Sequence, residues 1–153
     1  MVQNVTIKRK YRNSFCYVVL RIWGRNLKPE EITKKLNIAP DESWHRGLVR
    51  DKYGEIIKHK DGTPIKRHYG QWNLEAHVHE NSGLENRIKN IIKQIMHKRN
   101  ILKQILKTTK ADLKIVIQPD KRLAVAGWLF SGKLLNEFTS LGIDIHFSVE
   151  IPR

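Results

Sequence analysis

Residues 15–47 read FCYVVLRIWGRNLKPEEITKKLNIAPDESWHRG, and the order of signals along them decides the fold. Cys16, Val18, Leu20 and Ile22 share one parity and are all apolar. Phe15, Tyr17, Val19, Arg21 and Trp23 take the other. Such a pattern reads as a strand over 15–23, buried on one face and partly covered on the other. Gly24-Arg25-Asn26 then makes a tight corner. Pro29 suits the first helical position, where its missing N–H costs nothing. Glu30 and Glu31 complement the positive end of the helix that follows over 29–37. Asn37 reads as a left-handed stop.

Working outward, residues 45–70 are the least regular part. Gly47, Gly54, Asp61-Gly62, Pro64 and Gly70 are spread among many charges. Asp61-Gly62 is a turn signal. Glu55-Ile56-Ile57-Lys58 and Ile65-Lys66-Arg67-His68 are placed to pair across it, as a mobile β-hairpin insertion leading to a strand near Gln71–His77. The longest helical pattern runs over 84–107. Leu84, Ile88, Ile91, Ile92 and Ile95 form a stripe that Leu102, Ile105 and Leu106 continue. His97-Lys98-Arg99-Asn100 interrupts it, which predicts a bend or break there.

Further strands are expected at 112–118 and 123–130. A helix capped by Ser131 is expected over 132–140. A final strand over 143–151 alternates, with Ile143, Ile145, Phe147, Val149 and Ile151 inward. That alternation predicts a sheet with one face on helices and one near water, so mixed or antiparallel rather than wholly parallel. The expected fold is a two-layer, ferredoxin-like α+β domain, with helices on one face and a hairpin insertion. The expected core comprises Val18, Leu20, Ile22, Ile32, Leu36, Ile88, Ile92, Ile95, Ile115, Phe138, Ile145 and Phe147. The 153 residues suit one domain, with residues 1–13 as a basic N-terminal arm.

The same order of residues resembles domain-of-unknown-function family 4279, a group of small, mostly bacterial proteins. The resemblance is carried by Cys16–Ile22, by Leu27-Lys28-Pro29-Glu30-Glu31-Ile32-Thr33 and by Leu36-Asn37-Ile38-Ala39-Pro40-Asp41. Trp44 with Gly47, Gly70 with Trp72, and Leu141-Gly142-Ile143-Asp144-Ile145 extend it to nearly the whole chain. The sequence departs from the pattern in having Asn37 where Gly is usual, and in being more basic. The resemblance implies a fold and a cytosolic setting in a bacterium or phage. It implies no activity, because none is established for the group.

Lys and Arg number 29 against 15 Asp and Glu, an excess of +14. Clustered positive charge of that size is the footprint of a protein that meets nucleic acid or another anion. A Lys-rich composition without function gives the same excess. The single cysteine, Cys16, forms no intramolecular bridge and suits a reducing compartment. The first residues, MVQNVTIKRKYRNS, lack the apolar run of a signal peptide. The expectation is therefore a cytoplasmic protein with no membrane role, a monomer or weak dimer.

No residue pattern identifies a catalytic group, metal or cofactor, so none is assigned. Neither G-x-S-x-G, H-E-x-x-H nor a glycine-rich phosphate loop occurs. His77 and His79 lack a third ligand at a familiar spacing and read as surface residues. Trp44, Trp72 and Trp128 read as packing residues rather than a pocket. Asp144 and Glu150 lie roughly 20 Å apart along a strand, too far to act as a carboxylate pair.

Two surfaces stand out as candidate partner sites. The helical stretch from Arg87 to Lys110 carries an exposed basic row of Arg87, Lys89, Lys93, Lys98, Arg99, Lys103, Lys107 and Lys110 against one acid, Glu85, and Lys89, Lys93, Lys98, Arg99 and Lys103 are its candidate contact residues. The open sheet face offers Arg21 and Trp23, with Phe15, Tyr17, Lys114 and His146 beside them. The leading expectation is a non-enzymatic module that binds an acidic partner, a nucleic-acid backbone or an acidic protein surface. The alternative is an immunity- or defence-type accessory protein that docks one to one. The last is an enzyme with a site in residues 45–72.

Overall fold

The computed structural model describes residues 16–79, 82–118 and 131–150. A mixed α+β fold is built around one strand. β1 (Cys16–Gly24) lies at the centre of a five-stranded sheet. The chain then forms α1 (Pro29–Leu36) and the short strands β2 (Glu42–Trp44), β3 (Gly47–Leu48) and β4 (Lys66–Arg67). β5 (Gly70–Glu75), α2 (Leu84–Ile95), α3 (Arg99–Ile105) and β6 (Lys110–Ile117) follow. α4 (Gly132–Thr139) and β7 (Asp144–Val149) come last. The sheet order is β2-β5-β1-β6-β7, with every pair antiparallel except β6 and β7. The sheet is therefore mixed.

The register explains the core. Leu74, Leu20, Leu113 and Ile145 form one cross-strand row, and Trp72, Ile22 and Ala111 form the next. Leu74, Leu20, Leu113 and Trp72 are fully buried. Their side chains all leave the same side of the pleat. α2 packs across β1 on the core, with Ile88, Ile91 and Ile95 fully buried. α1 contributes Ile32 and Leu36, and its Thr33 hydroxyl accepts the indole N–H of Trp72 at 3.1 Å. That bond supplies the one polar partner a buried indole needs. α1 stops as its sequence predicts: Asn37 adopts φ 54°, ψ 41°, and its N–H reaches the Thr33 carbonyl at 2.8 Å.

The interruption in the long helix is real and lies one residue early. Met96–Lys98 is a 3-10 turn between α2 and α3. The stripe differs from its reading in two places. Ile91 rather than Ile92 is fully buried, Ile92 being only partly so. Arg87, expected in the exposed basic row, is 1% exposed. Its Nε donates to the Ser82 carbonyl at 3.1 Å. Ser131 precedes α4 without bonding the helix through its side chain.

Two expectations about the sheet need correction. Phe147 and Val149 are not core: they are 47% and 62% exposed, and Ile145 is half-buried. Among the described residues β7 ends the sheet order, so its inward parity meets less of the core than the centre of the sheet does. Conversely, the opposite face is not open in the middle. Val19, Asn73, Asp112 and Val116 lie on it and are buried.

The insertion is more than a hairpin. Lys58 and Pro64 do pair across Asp61-Gly62. Residues 47–50 join as a third segment, β3 pairing with β4 and Arg50 with Ile56. Backbone bonds close a ring: Val49 N–H to Ile65 at 3.0 Å, Ile65 N–H to Ile57 at 2.9 Å and Ile57 N–H to Val49 at 2.9 Å. The expected strand over 123–130, the arm over 1–13, Phe15, Trp128 and Ile151 lie outside the described residues. Among those described, no helix is long and apolar enough to cross a membrane.

Candidate functional site

At the end of the sheet where β1 finishes and β5 begins, a cleft of about 310 Å³ is lined by Arg25, Arg46, Lys66, His68 and Tyr69. Three segments build it. Arg25 sits in the corner after β1, which closes with the Leu27 N–H on the Gly24 carbonyl at 3.3 Å. Arg46 lies between β2 and β3, beside Gly47, whose φ of 132° disfavours any residue with a Cβ. Lys66 comes from β4 and His68 and Tyr69 from the bend that leads to β5, while Arg67 between them turns to the Trp44 ring at 4.7 Å.

Gly70 fastens these segments together. A Cβ there would lie 2.2 Å from the Leu27 carbonyl oxygen. Only glycine lets the Arg25 corner approach the start of β5 so closely. The result places three permanent cations and a histidine around one concavity, and among the described residues no carboxylate lines it. Among the described residues, Arg25, Arg46 and Lys66 take part in no ion pair. Like charges gathered without counter-ions repel one another, so an anion entering the cleft relieves that repulsion.

The surfaces singled out in the sequence are less free. Lys89 pairs with Glu85 at 3.1 Å, and Arg99 meets Glu137 at 3.4 Å and the Ser140 hydroxyl at 2.8 Å. Lys93 and Lys103 are exposed and Lys98 is half-buried in the 3-10 turn. That turn divides the row between two helices. Arg21 gives its Nε to Asp112 at 2.7 Å, with a second bond from its terminal nitrogen to the other carboxylate oxygen. Asp112 is buried and holds the Arg21 guanidinium charged to still higher pH than usual. Arg21 also lies 5.8 Å from the Trp23 ring, so both residues of this pair are engaged within the fold.

The family model described as Domain of unknown function (DUF4279) matches residues 14–151. The chain belongs to this family. No curated protein and no solved structure matches it. Several residues that carry the DUF4279 pattern now have physical roles. Asp41, after α1, takes the Glu75 N–H at 2.7 Å and the His77 Nε2 at 2.7 Å. Asn90 and Gln94 of α2 bond the backbone of His77 and Glu75. His77 is therefore part of a clasp that ties the loop after α1 to the end of β5 and to α2.

Sequence reasoning missed the cleft because its parts are spread over residues 25–69 in three segments, each of which reads as an ordinary charged loop. One signal was present. Residues 45–70 carry Arg46, Lys66, Arg67 and His68 beside turn glycines, and Arg25 follows a turn glycine too.

Proposed function

We propose that the protein is a non-enzymatic binding module that holds an anionic partner in the cleft of Arg25, Arg46, Lys66, His68 and Tyr69. The observation that carries this reading is the gathering of Arg25, Arg46 and Lys66 around one concavity where, among the described residues, they are unpaired and no carboxylate joins them. An anion bridging these side chains takes charge-assisted hydrogen bonds from each, and those bonds are the strong ones. Lys93 and Lys103 extend the positive field and steer an acidic partner toward the molecule. A cytoplasmic setting, in which the single buried Cys16 stays reduced, belongs to the same reading. So does a single-domain monomer or weak dimer of ferredoxin-like layering, with helices gathered on one face of the sheet; α2 across β1 supports that layering.

Amide NMR shifts on adding inorganic pyrophosphate test the site. The proposal expects Arg25, Arg46, Lys66 and residues 68–70 to respond first and to saturate together. Shifts centred on Lys93 and Lys103 instead would move the site to the helix. A protein indifferent to pyrophosphate but bound one to one by an acidic protein would favour the docking role.

A further inference from the structure

We infer that the anion taken by this cleft is a nucleotide phosphate, with its base unstacked and laid on Tyr69. The inference rests on the anion-binding reading above and adds a chemical class to it. Two observations carry it. The first is the density of charge. Two guanidiniums, one ammonium and one imidazole line a space of about 310 Å³. A single carboxylate offers one charge to such a set. A phosphate offers more charge and three acceptor oxygens, and arginine forks match that geometry. The second is Tyr69. The residue is 53% exposed although it lines the cleft, and no described residue takes a hydrogen bond from its hydroxyl. An aromatic left uncovered beside a cluster of cations is the pairing by which single strands are held: cations on the backbone, a ring under the base.

The shape argues for a single strand or a free nucleotide over a duplex. A base inside a duplex shows only its edges, so Tyr69 would find no face to stack on. A concavity of this size lies at the lower end of small-ligand sites and admits one nucleotide unit. Its neighbour Gly70 is pinned against Leu27, which fixes the backbone from which the Tyr69 ring projects.

The test compares a pentathymidylate strand with an abasic deoxyribose-phosphate strand of equal charge, by fluorescence anisotropy at low salt. Wild-type protein should prefer the base-bearing strand by roughly 5- to 150-fold, the ratio that about 1–3 kcal/mol of base stacking corresponds to. Tyr69→Ala should erase that preference and Tyr69→Phe should keep it, since stacking needs the ring and not the hydroxyl. Competition by thymidine monophosphate separates the two sources: displacement at concentrations close to the strand's own Kd assigns a free nucleotide, and weak displacement assigns a strand. Equal binding of base-bearing and abasic strands by the wild type overturns the nucleotide inference and leaves the anion cleft standing. So does a preference that survives Tyr69→Ala, or equal binding of duplex and single strand. Binding of neither strand, together with no response to pyrophosphate, overturns both readings.

Discussion

At the scale of single residues, Gly70 matters most. A Cβ there would stand 2.2 Å from the Leu27 carbonyl oxygen, which is backbone and not the end of a flexible side chain. Gly70→Ala should destabilise the fold by about 1–3 kcal/mol, the usual range for forcing a methyl into filled space. It should also weaken anion binding, because Arg25 is carried by the displaced corner. Denaturant melts and the pyrophosphate titration check this; an unchanged midpoint would mean that the two segments separate freely. Cys16 supplies a second residue-scale prediction. Burial pushes its thiol pKa up, and the buried Arg87 guanidinium beside it pulls partly the other way. The folded thiol stays protonated where an unfolded one ionises, so this residue's contribution to stability is present below the ordinary thiol range and fades as pH rises through it. Disulfide-exchange reagents should modify native Cys16 no faster than the protein opens. Modification in native buffer at pH 8 as fast as that of the denatured protein at the same reagent concentration would contradict that. The special role of Gly70 is not legible in the sequence, because a glycine names a need for space without naming the neighbour that takes it. Arg87 was misread for a similar reason: charge predicts exposure on average, and only the packing of α2 against β1 reverses it here.

At the scale of elements, periodicity carried far and then met its limit. β1, α1, the long helix and β6 were legible because their apolar residues repeat at the period of strand or helix. The break near His97 was legible because a polar run sits where the stripe requires apolar residues. Which of two adjacent isoleucines faces the core was not, since a helix carrying both Ile91 and Ile92 can rotate slightly to bury either. Ile91→Ala should therefore cost about 2–5 kcal/mol, as for a fully buried side chain, and Ile92→Ala distinctly less. Equal losses in urea melts would restore the sequence reading. β7 shows the same limit. Its alternation is clear, yet alternation reports which residues share a face, not whether the strand lies at the edge, and Phe147 consequently emerges half in water.

At the scale of the whole molecule, a net charge of +14 has to be distributed, and its placement decides what it does. The helical row loses part of its charge to Glu85 and Glu137, whereas the cleft keeps Arg25, Arg46 and Lys66 unpaired among the described residues. That distinction was invisible in composition, since pairing across α3 and α4 depends on the fold. The site was half legible: its cationic residues and turn glycines could be read, but not their convergence. The most direct measurement is the salt dependence of single-strand binding for three proteins: wild type, Arg25→Gln/Arg46→Gln/Lys66→Gln, and Lys89→Gln/Lys93→Gln/Lys103→Gln. Each phosphate neutralised contributes roughly −0.7 to the slope of log K against log salt for single strands. The account predicts that the cleft variant shallows the slope by up to about 2 while the helix variant stays close to wild type. A slope unchanged in the cleft variant and shallowed in the helix variant would contradict it.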